Sequence, residues 1–301
     1  MNAGKVGVIG LGAMGRGMAA SLRRAGFDIH VFDVRADVAQ RFAADGGIAC
    51  ASPSELAQAC PVLISVVVNA TQTEDVLFGS TGCAAAMPAG SVFVMCSTVD
   101  PAWSAALETR LAGQGVLYLD APISGGAARA ASGDITMMTA GSAAAYERCA
   151  GVLDAMAAKV YRLGERAGAG SKVKVINQLL AGVHIAAAAE AMALGLREGV
   201  DPAALYEVIT HSAGNSWMFE NRMPHVLAGD YTPLSAVDIF VKDLGLVLDM
   251  ARASKFPLPL SSTAHQMFMQ ASTAGHGRDD DSAVIKTFPG ITLPAGKDKA
   301  G

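Results

Sequence analysis

The chain has 301 residues, 51% of them hydrophobic and 17% charged, and a mean hydropathy of +0.35. Disordered chains carry too little apolar side chain to offset the entropy of folding, so this composition excludes that class. The 23 basic and 27 acidic residues give a net charge of -4, with no run of five like charges. That excludes the basic face required by nucleic acid or an anionic membrane and leaves small molecules as the expected partners.

A length near 300 predicts two domains. The opening MNAGKVGVIG lacks the basic stretch and apolar core of a signal peptide and enters a strand pattern almost at once. Strands are expected at residues 5–10, 28–33, 62–68, 91–96, 116–120, 135–140 and 159–162, with helical patterns at 14–25, 53–59, 101–113 and 143–157 among them. Apolar strands alternating with helices predict an α/β fold, a Rossmann-type doubly wound parallel sheet covered on both faces, over residues 1–165.

After the glycine-rich GERAGAG segment the strand pattern stops. A helix of about 25 to 30 residues, about 40 Å long, is expected over 171–198. Shorter helical patterns follow at 202–211, 237–253, 261–274 and 280–285, so residues 166–301 read as an all-α domain built on a long interdomain helix. Residues 176–196 are apolar and of bilayer-spanning length, but they include Asn177, Gln178, His184 and Glu190. Four polar groups facing lipid would be costly, so the helix is expected to be buried between protein surfaces. Residues 294–301 read as a frayed tail. The five cysteines are scattered and never spaced C-x-x-C, and the histidines form no H-E-x-x-H. No disulfide framework or metal site is expected, and a reducing, cytoplasmic setting is.

Gly10-Leu11-Gly12-Ala13-Met14-Gly15 fits G-x-G-x-x-G, a pattern that is weak by itself, its alternative being an ordinary glycine turn. Here it follows an apolar strand and opens a helix, and the next strand ends at Asp33, 23 residues after Gly10. That context predicts a dinucleotide site, with the glycines giving a tight turn and close approach to a pyrophosphate held by helix N–H groups. Asp33 is placed to accept from the adenosine ribose hydroxyls and to repel a 2′-phosphate, which favours NAD over NADP, although it also fits a strand-end cap. Val34 adjoins it, and Arg35 would soften the preference by pairing with that phosphate. Asn69 and Thr98 follow later strands and should face the cofactor, although both types also cap helices at such turns.

Four motifs then occur in order: GLGAMG, Asp120-Ala121-Pro122-Ile123-Ser124-Gly125-Gly126, Gly168-x-Gly170-x-x-x-Lys174-x-x-Asn177 and Lys242-Asp243-Leu244. Together they resemble the β-hydroxyacid dehydrogenases, the 3-hydroxyisobutyrate dehydrogenase family, over nearly the whole chain. Within it, AGNSWMFENR followed by GDYTP and VDIFVKDL is most like the branch that oxidises L-threonate, a four-carbon sugar acid, at its C2 hydroxyl.

The resemblance implies that Lys174 is the catalytic acid/base. The position agrees, because the positive end of a helix dipole and partial desolvation both favour the neutral amine. Asn177, three residues on, shares its face and is expected to orient the lysine or a substrate hydroxyl. Lys172 is rotated about 160° away and reads as a solvated residue. Gln178 stands where relatives often have a second asparagine, and His184 reads as a core or interface residue.

Ser124, Gly125 and Gly126 are implied to hold the substrate carboxylate with backbone N–H groups and a hydroxyl. Lys242 is implied to lie over the cleft near the nicotinamide. Its bland alternative is an i,i+4 pair with Asp238. Asn215, Ser216, Trp217, Phe219 and Arg222 either line the substrate pocket or pack between domains.

The implied activity is NAD-dependent oxidation of a small hydroxy acid. Tartronate semialdehyde reduction and 3-hydroxyisobutyrate oxidation are the near alternatives, and a non-catalytic dinucleotide sensor is the distant one. A phosphosugar substrate is disfavoured for want of an arginine cluster. Alanine-rich helices packed on one another predict a homodimer or homotetramer.

Overall fold

The structure is a computed structural model that describes residues 4–295. The expected tail therefore lies, past Ala295, outside the described residues. The chain divides into two compact units, Met1–Lys174 and Val175–Gly301.

In the first unit the elements run β1 (Lys5–Ile9), α1 (Ala13–Arg24), β2 (Asp28–Phe32), α2 (Ala36–Ala44), β3 (Ile48–Ala49), α3 (Pro53–Ala59), β4 (Val62–Ser65), α4 (Ala70–Phe78), β5 (Val92–Met95) and α5 (Pro101–Ala112). They continue with β6 (Leu117–Asp120), β7 (Ile123–Ser124), α6 (Gly126–Ser132), β8 (Ile135–Gly141), α7 (Ala143–Met156) and β9 (Ala157–Arg162). The strands order as β3-β2-β1-β4-β5-β6-β8-β7, with β9 against β8. From β3 to β6 every pairing is parallel, which is the Rossmann order with its switch point between β1 and β4.

Strand period 2 sends successive side chains to opposite faces. Val6, Val8, Ile64, Val94 and Leu119 meet Met18 and Leu22 of α1 and Val152 and Leu153 of α7 on one face. Ile9, Leu63, Phe93, Met95 and Tyr118 meet Leu56 of α3 and Leu107 and Leu111 of α5 on the other. Each fully buried side chain of this size contributes roughly 1.5–3 kcal/mol, so neither face can be stripped of its helices.

The sheet departs from the expected all-parallel arrangement at one edge, where β8 runs antiparallel to both β6 and β7. A strand buried on both faces has the same continuous apolar composition whichever way its neighbour runs, so the pattern could not reveal this.

The second unit is helical. It contains most of α8 (Ala169–Arg197), then α9 (Pro202–Thr210), α10 (Trp217–Ala228), α11 (Val237–Ser254), α12 (Pro259–Ala271) and a 3-10 segment at Asp281–Thr287. One core joins Ile185, Ala189 and Met192 of α8, Phe219 and Met223 of α10, Leu244 and Val247 of α11 and Phe268 of α12. At Gly182 an added Cβ would lie 2.9 Å from the Leu244 side chain, so α8 and α11 approach as closely as a glycine allows. Among the described residues α8 alone has the length and apolarity of a membrane span, and half of its most apolar window is buried.

Candidate active site

The glycine loop after β1 is shaped by contacts that no side chain would survive. Gly10 has φ +88, and a Cβ on it would sit 2.7 Å from the Val66 carbonyl oxygen. A Cβ on Gly15 would fall 1.9 Å from the Gly10 carbonyl oxygen. Gly12, by contrast, faces open space. The turn is therefore locked against the sheet on one side and bare on the other, as close approach of a pyrophosphate requires. Ala13 and Met14 open α1 directly behind it.

Asp33, just past β2, is tied into the same loop. Its Oδ2 accepts from the Leu11 N–H at 2.8 Å and its Oδ1 from the Arg35 N–H at 2.9 Å. A carboxylate oxygen has a second lone pair, so these bonds aim the group and leave capacity for ribose hydroxyls. The Arg35 Nε lies 3.5 Å from the same Oδ1. Asp33, the exposed Val34, Gly12 and the ends of β1, β2 and β4 line one cavity of about 520 Å³.

Asn69 caps α4, its Oδ1 accepting from the Gln72 N–H at 2.9 Å. Ser97 donates to the Val67 carbonyl at 2.7 Å and so ties the loop after β5 to the loop after β4. Thr98 follows half-buried. One Oδ1 lone pair of Asn69 is thus committed to the cap, and the amide N–H₂ and the second lone pair are left to offer a ligand.

The Ser124-Gly125-Gly126 turn joins β7 to α6. Gly125 has φ +132 and Gly126 φ +77, backbone in which an L side chain is strained. The chain bends here because it can do so only with glycine, and Ser124 stays half-buried at the turn.

Asp120, at the end of β6, stands in the second motif with no role read for it, yet its wholly buried carboxylate holds the start of α8. Its Oδ2 accepts from the N–H groups of Gly168 and Ser171 at 2.8 and 2.9 Å, and its Oδ1 from the Ser171 hydroxyl at 2.6 Å. Burial pushes this carboxyl above the usual range, against the pull of those bonds. Gly168 has φ +97, and a Cβ on Gly170 would lie 2.4 Å from the Met138 carbonyl oxygen. The two glycines of G-x-G-x-x-x-Lys therefore serve close docking of the first turn on the end of β6 and the middle of β8. One turn further on Lys174 is buried, 7% exposed, while Lys172 is exposed.

A chain of polar side chains lies in the helical unit. The Asn177 Nδ2 donates to the Gln178 Oε1 at 3.1 Å, and the Gln178 Nε2 to the Asp243 Oδ2 at 2.6 Å. The Asp243 Oδ1 accepts from the Lys242 Nζ at 2.5 Å. Asp243 is 2% exposed and Gln178 also buried. Asp238, four residues before Lys242, takes the Ser272 hydroxyl at 2.6 Å. Sequence reasoning missed Asp243 and undervalued Gln178. The available signal was Gln178 at i+4 from Lys174, which shares a helix face as well as i+3 does.

In the polar and aromatic cluster after α9, Trp217 is exposed and Asn215 donates to the Thr210 carbonyl at 3.1 Å. Ser216 caps α10, Phe219 is core, and the Arg222 Nη2 is bonded to the Asp281 Oδ2 at 3.0 Å. His184 is exposed. All five cysteines are unpaired and buried, and burial pushes the Cys60 and Cys83 thiols up to about 12. Among the described residues no group of His, Cys, Asp and Glu could hold a metal ion.

Residues 5–164 match the NAD-binding domain of 6-phosphogluconate dehydrogenase, and residues 168–288 match the family domain described as NAD-binding of NADP-dependent 3-hydroxyisobutyrate dehydrogenase. The L-threonate dehydrogenase of Cupriavidus necator is 71% identical over 96% of this chain and 97% of its own. That of Escherichia coli K12 is 53% identical, covering 97% of each chain. The crystal structure of a Salmonella typhimurium protein described as 3-hydroxyisobutyrate dehydrogenase superposes with a TM-score of 0.91 at 53% identity, over 94% of this chain and 99% of that one. The names agree on a dehydrogenase of small hydroxy acids and differ on whether the acid carries extra hydroxyls or a methyl.

Proposed function

Because this chain belongs to the β-hydroxyacid dehydrogenase family, we propose that it oxidises L-threonate at C2 with NAD, giving 2-oxotetronate (2-dehydro-L-erythronate). The reading is supported chiefly by the 71% identity to the Cupriavidus necator enzyme. In it residues 1–165 hold the dinucleotide and 166–301 complete the substrate site. Gly10 to Gly15 hold the pyrophosphate, Asp33 and Val34 the adenosine end, and Asn69, Thr98 and Lys242 the remainder of the cofactor.

The bound nicotinamide supplies the hydride acceptor at C4. Ser124, Gly125 and Gly126 hold the substrate carboxylate by hydroxyl and backbone N–H groups. Asn177 orients the sugar-acid hydroxyls. Lys174, as the neutral amine, takes the C2 hydroxyl proton while the hydride departs, and returns it in the reverse direction.

A panel of four-carbon sugar acids assayed with NAD and NADP by absorbance at 340 nm tests this. L-threonate is expected to exceed its epimers in kcat/KM by roughly 100-fold, and NAD to exceed NADP. Equal rates with the epimers would defeat the L-threonate assignment and spare the family.

The outward stripe of α8, including Ile176, Leu180 and Leu194, is exposed and apolar. We read it as the contact with a second copy in a homodimer or homotetramer. Light scattering at micromolar concentration should return twice or four times the 30.7 kDa chain mass; a monomer would refute the contact. The unpaired cysteines support a cytoplasmic setting.

A further inference from the structure

We infer that Asp243 and Gln178 are positioning residues that fix the polarity of Asn177, so that the site reads a second hydroxyl on the substrate beside the reacting one. This rests on the reading above, in which Asn177 meets the substrate.

The inference follows from hydrogen-bond direction. A carboxylate paired with a lysine ammonium offers only acceptors. Asp243 holds Lys242 on Oδ1, so its Oδ2 must receive the N–H₂ end of Gln178, and the 2.6 Å separation is that bond. With its nitrogen turned to Asp243, Gln178 presents Oε1 on the other side. The Asn177 atom 3.1 Å from that oxygen must then be its own N–H₂ group. Orientation thus passes along three side chains and leaves the Asn177 Oδ1 as an acceptor. Asn177 is half-buried, where Gln178 and Asp243 are buried.

The geometry is held by the backbone. Gln178 is one turn before Gly182, and Asp243 adjoins Leu244, a pair at which α8 and α11 pack closely. An acceptor held in a desolvating site is satisfied by a hydroxyl and left unpaired by a methyl or methylene, and sites of that kind discriminate strongly against the analogue lacking the hydroxyl. The chain therefore selects polyhydroxy acids over methyl-bearing ones.

The test compares kcat/KM for L-threonate with that for 2,4-dihydroxybutanoate of the same C2 configuration, which lacks only the C3 hydroxyl. Both are measured on one preparation, so the folded fraction cancels from the ratio. The native chain is expected to favour L-threonate by at least ~100-fold, and Gln178→Leu to reduce the preference to about 5-fold or less, chiefly through lost L-threonate activity. Asp243→Asn, whose amide can offer Gln178 either a donor or an acceptor, should fall between. If Gln178→Leu keeps the native ratio while Asn177→Leu loses it, Asn177 meets the hydroxyl without help and the inference is overturned, leaving the proposed function intact. If the native chain does not turn over L-threonate at all, the proposed function fails and the inference with it.

Discussion

Lys174→Ala is expected to lose turnover by roughly 10²–10⁴-fold, the usual contribution of a positioned acid/base, while still binding NAD. Hydride loss from an alcohol carbon leaves an oxocarbenium unless the hydroxyl proton departs with it. A buried amine one turn into a helix is the group proposed to take that proton. Lys174→Arg should be as inactive, since a guanidinium keeps the charge but cannot release its proton to become a base at neutral pH. That variant separates proton transfer from simple attraction of the substrate anion. Lys172→Ala, at an exposed position, should stay within about twofold of the native rate. Binding is read by isothermal titration with NAD and turnover by NADH absorbance. Appreciable activity in Lys174→Arg would show that charge and not basicity is what the position supplies.

The largest effect on stability is expected at Arg222. Its guanidinium is bonded to the wholly buried Asp281, and Asp280 beside it accepts from Leu234 N–H and from Ser282. Burial pushes the Asp281 carboxyl up to about 6, with Arg222 opposing that rise and Asp280 adding to it. Arg222→Met strands a buried carboxylate, a loss of roughly 3–5 kcal/mol, which lowers the melting temperature by about 10 °C or more.

The pH dependence has a definite sign. A carboxyl whose folded pKa lies above its unfolded value binds more protons folded than unfolded, so stability falls as pH rises between the two values. Without Arg222 the folded value rises further, so the penalty should be greatest at pH 7.5 and shrink toward pH 5. Arg222→Met combined with Asp281→Leu should recover most of the loss. A single variant melting within about 2 °C of the native chain at pH 7.5 would show that the pair contributes little.

The alternating half of the fold was legible because strands and helices there differ in period and composition. All seven expected strands are present, within three residues at each end. The two that escaped, β3 and β7, are two residues long and have no period to detect. Helix α10 escaped for a different reason. It carries Pro224 in its interior and mixes aromatic with charged residues, which obscures a helical stripe. Its Ser216 cap and Gly229 terminus were nevertheless readable signals.

At the site, the glycine loop, Asp33 and Lys174 stand in short motifs whose spacing carries their chemistry. Asp120 and Asp243 also stand in motifs, but nothing local in those motifs shows what the two carboxylates bond. Their partners are 51 and 65 residues away along the chain, and no local pattern records such a contact.

The docking of α8 on Asp120 divides the labour of the molecule. Its first turn is bonded to the end of β6, and the compact unit that holds the glycine loop ends with Lys174 itself. In the proposed mechanism the glycine loop, the carboxylate-binding turn and the base belong to the first compact unit, while Asn177, Gln178, Asp243 and the cofactor-facing Lys242 belong to the second. The residue proposed to take the proton and the residue proposed to read the substrate hydroxyl thus stand three positions apart on one helix, on either side of the boundary between the units. In that mechanism, substitutions after Lys174 are expected to change which substrate is preferred more than the proton transfer itself.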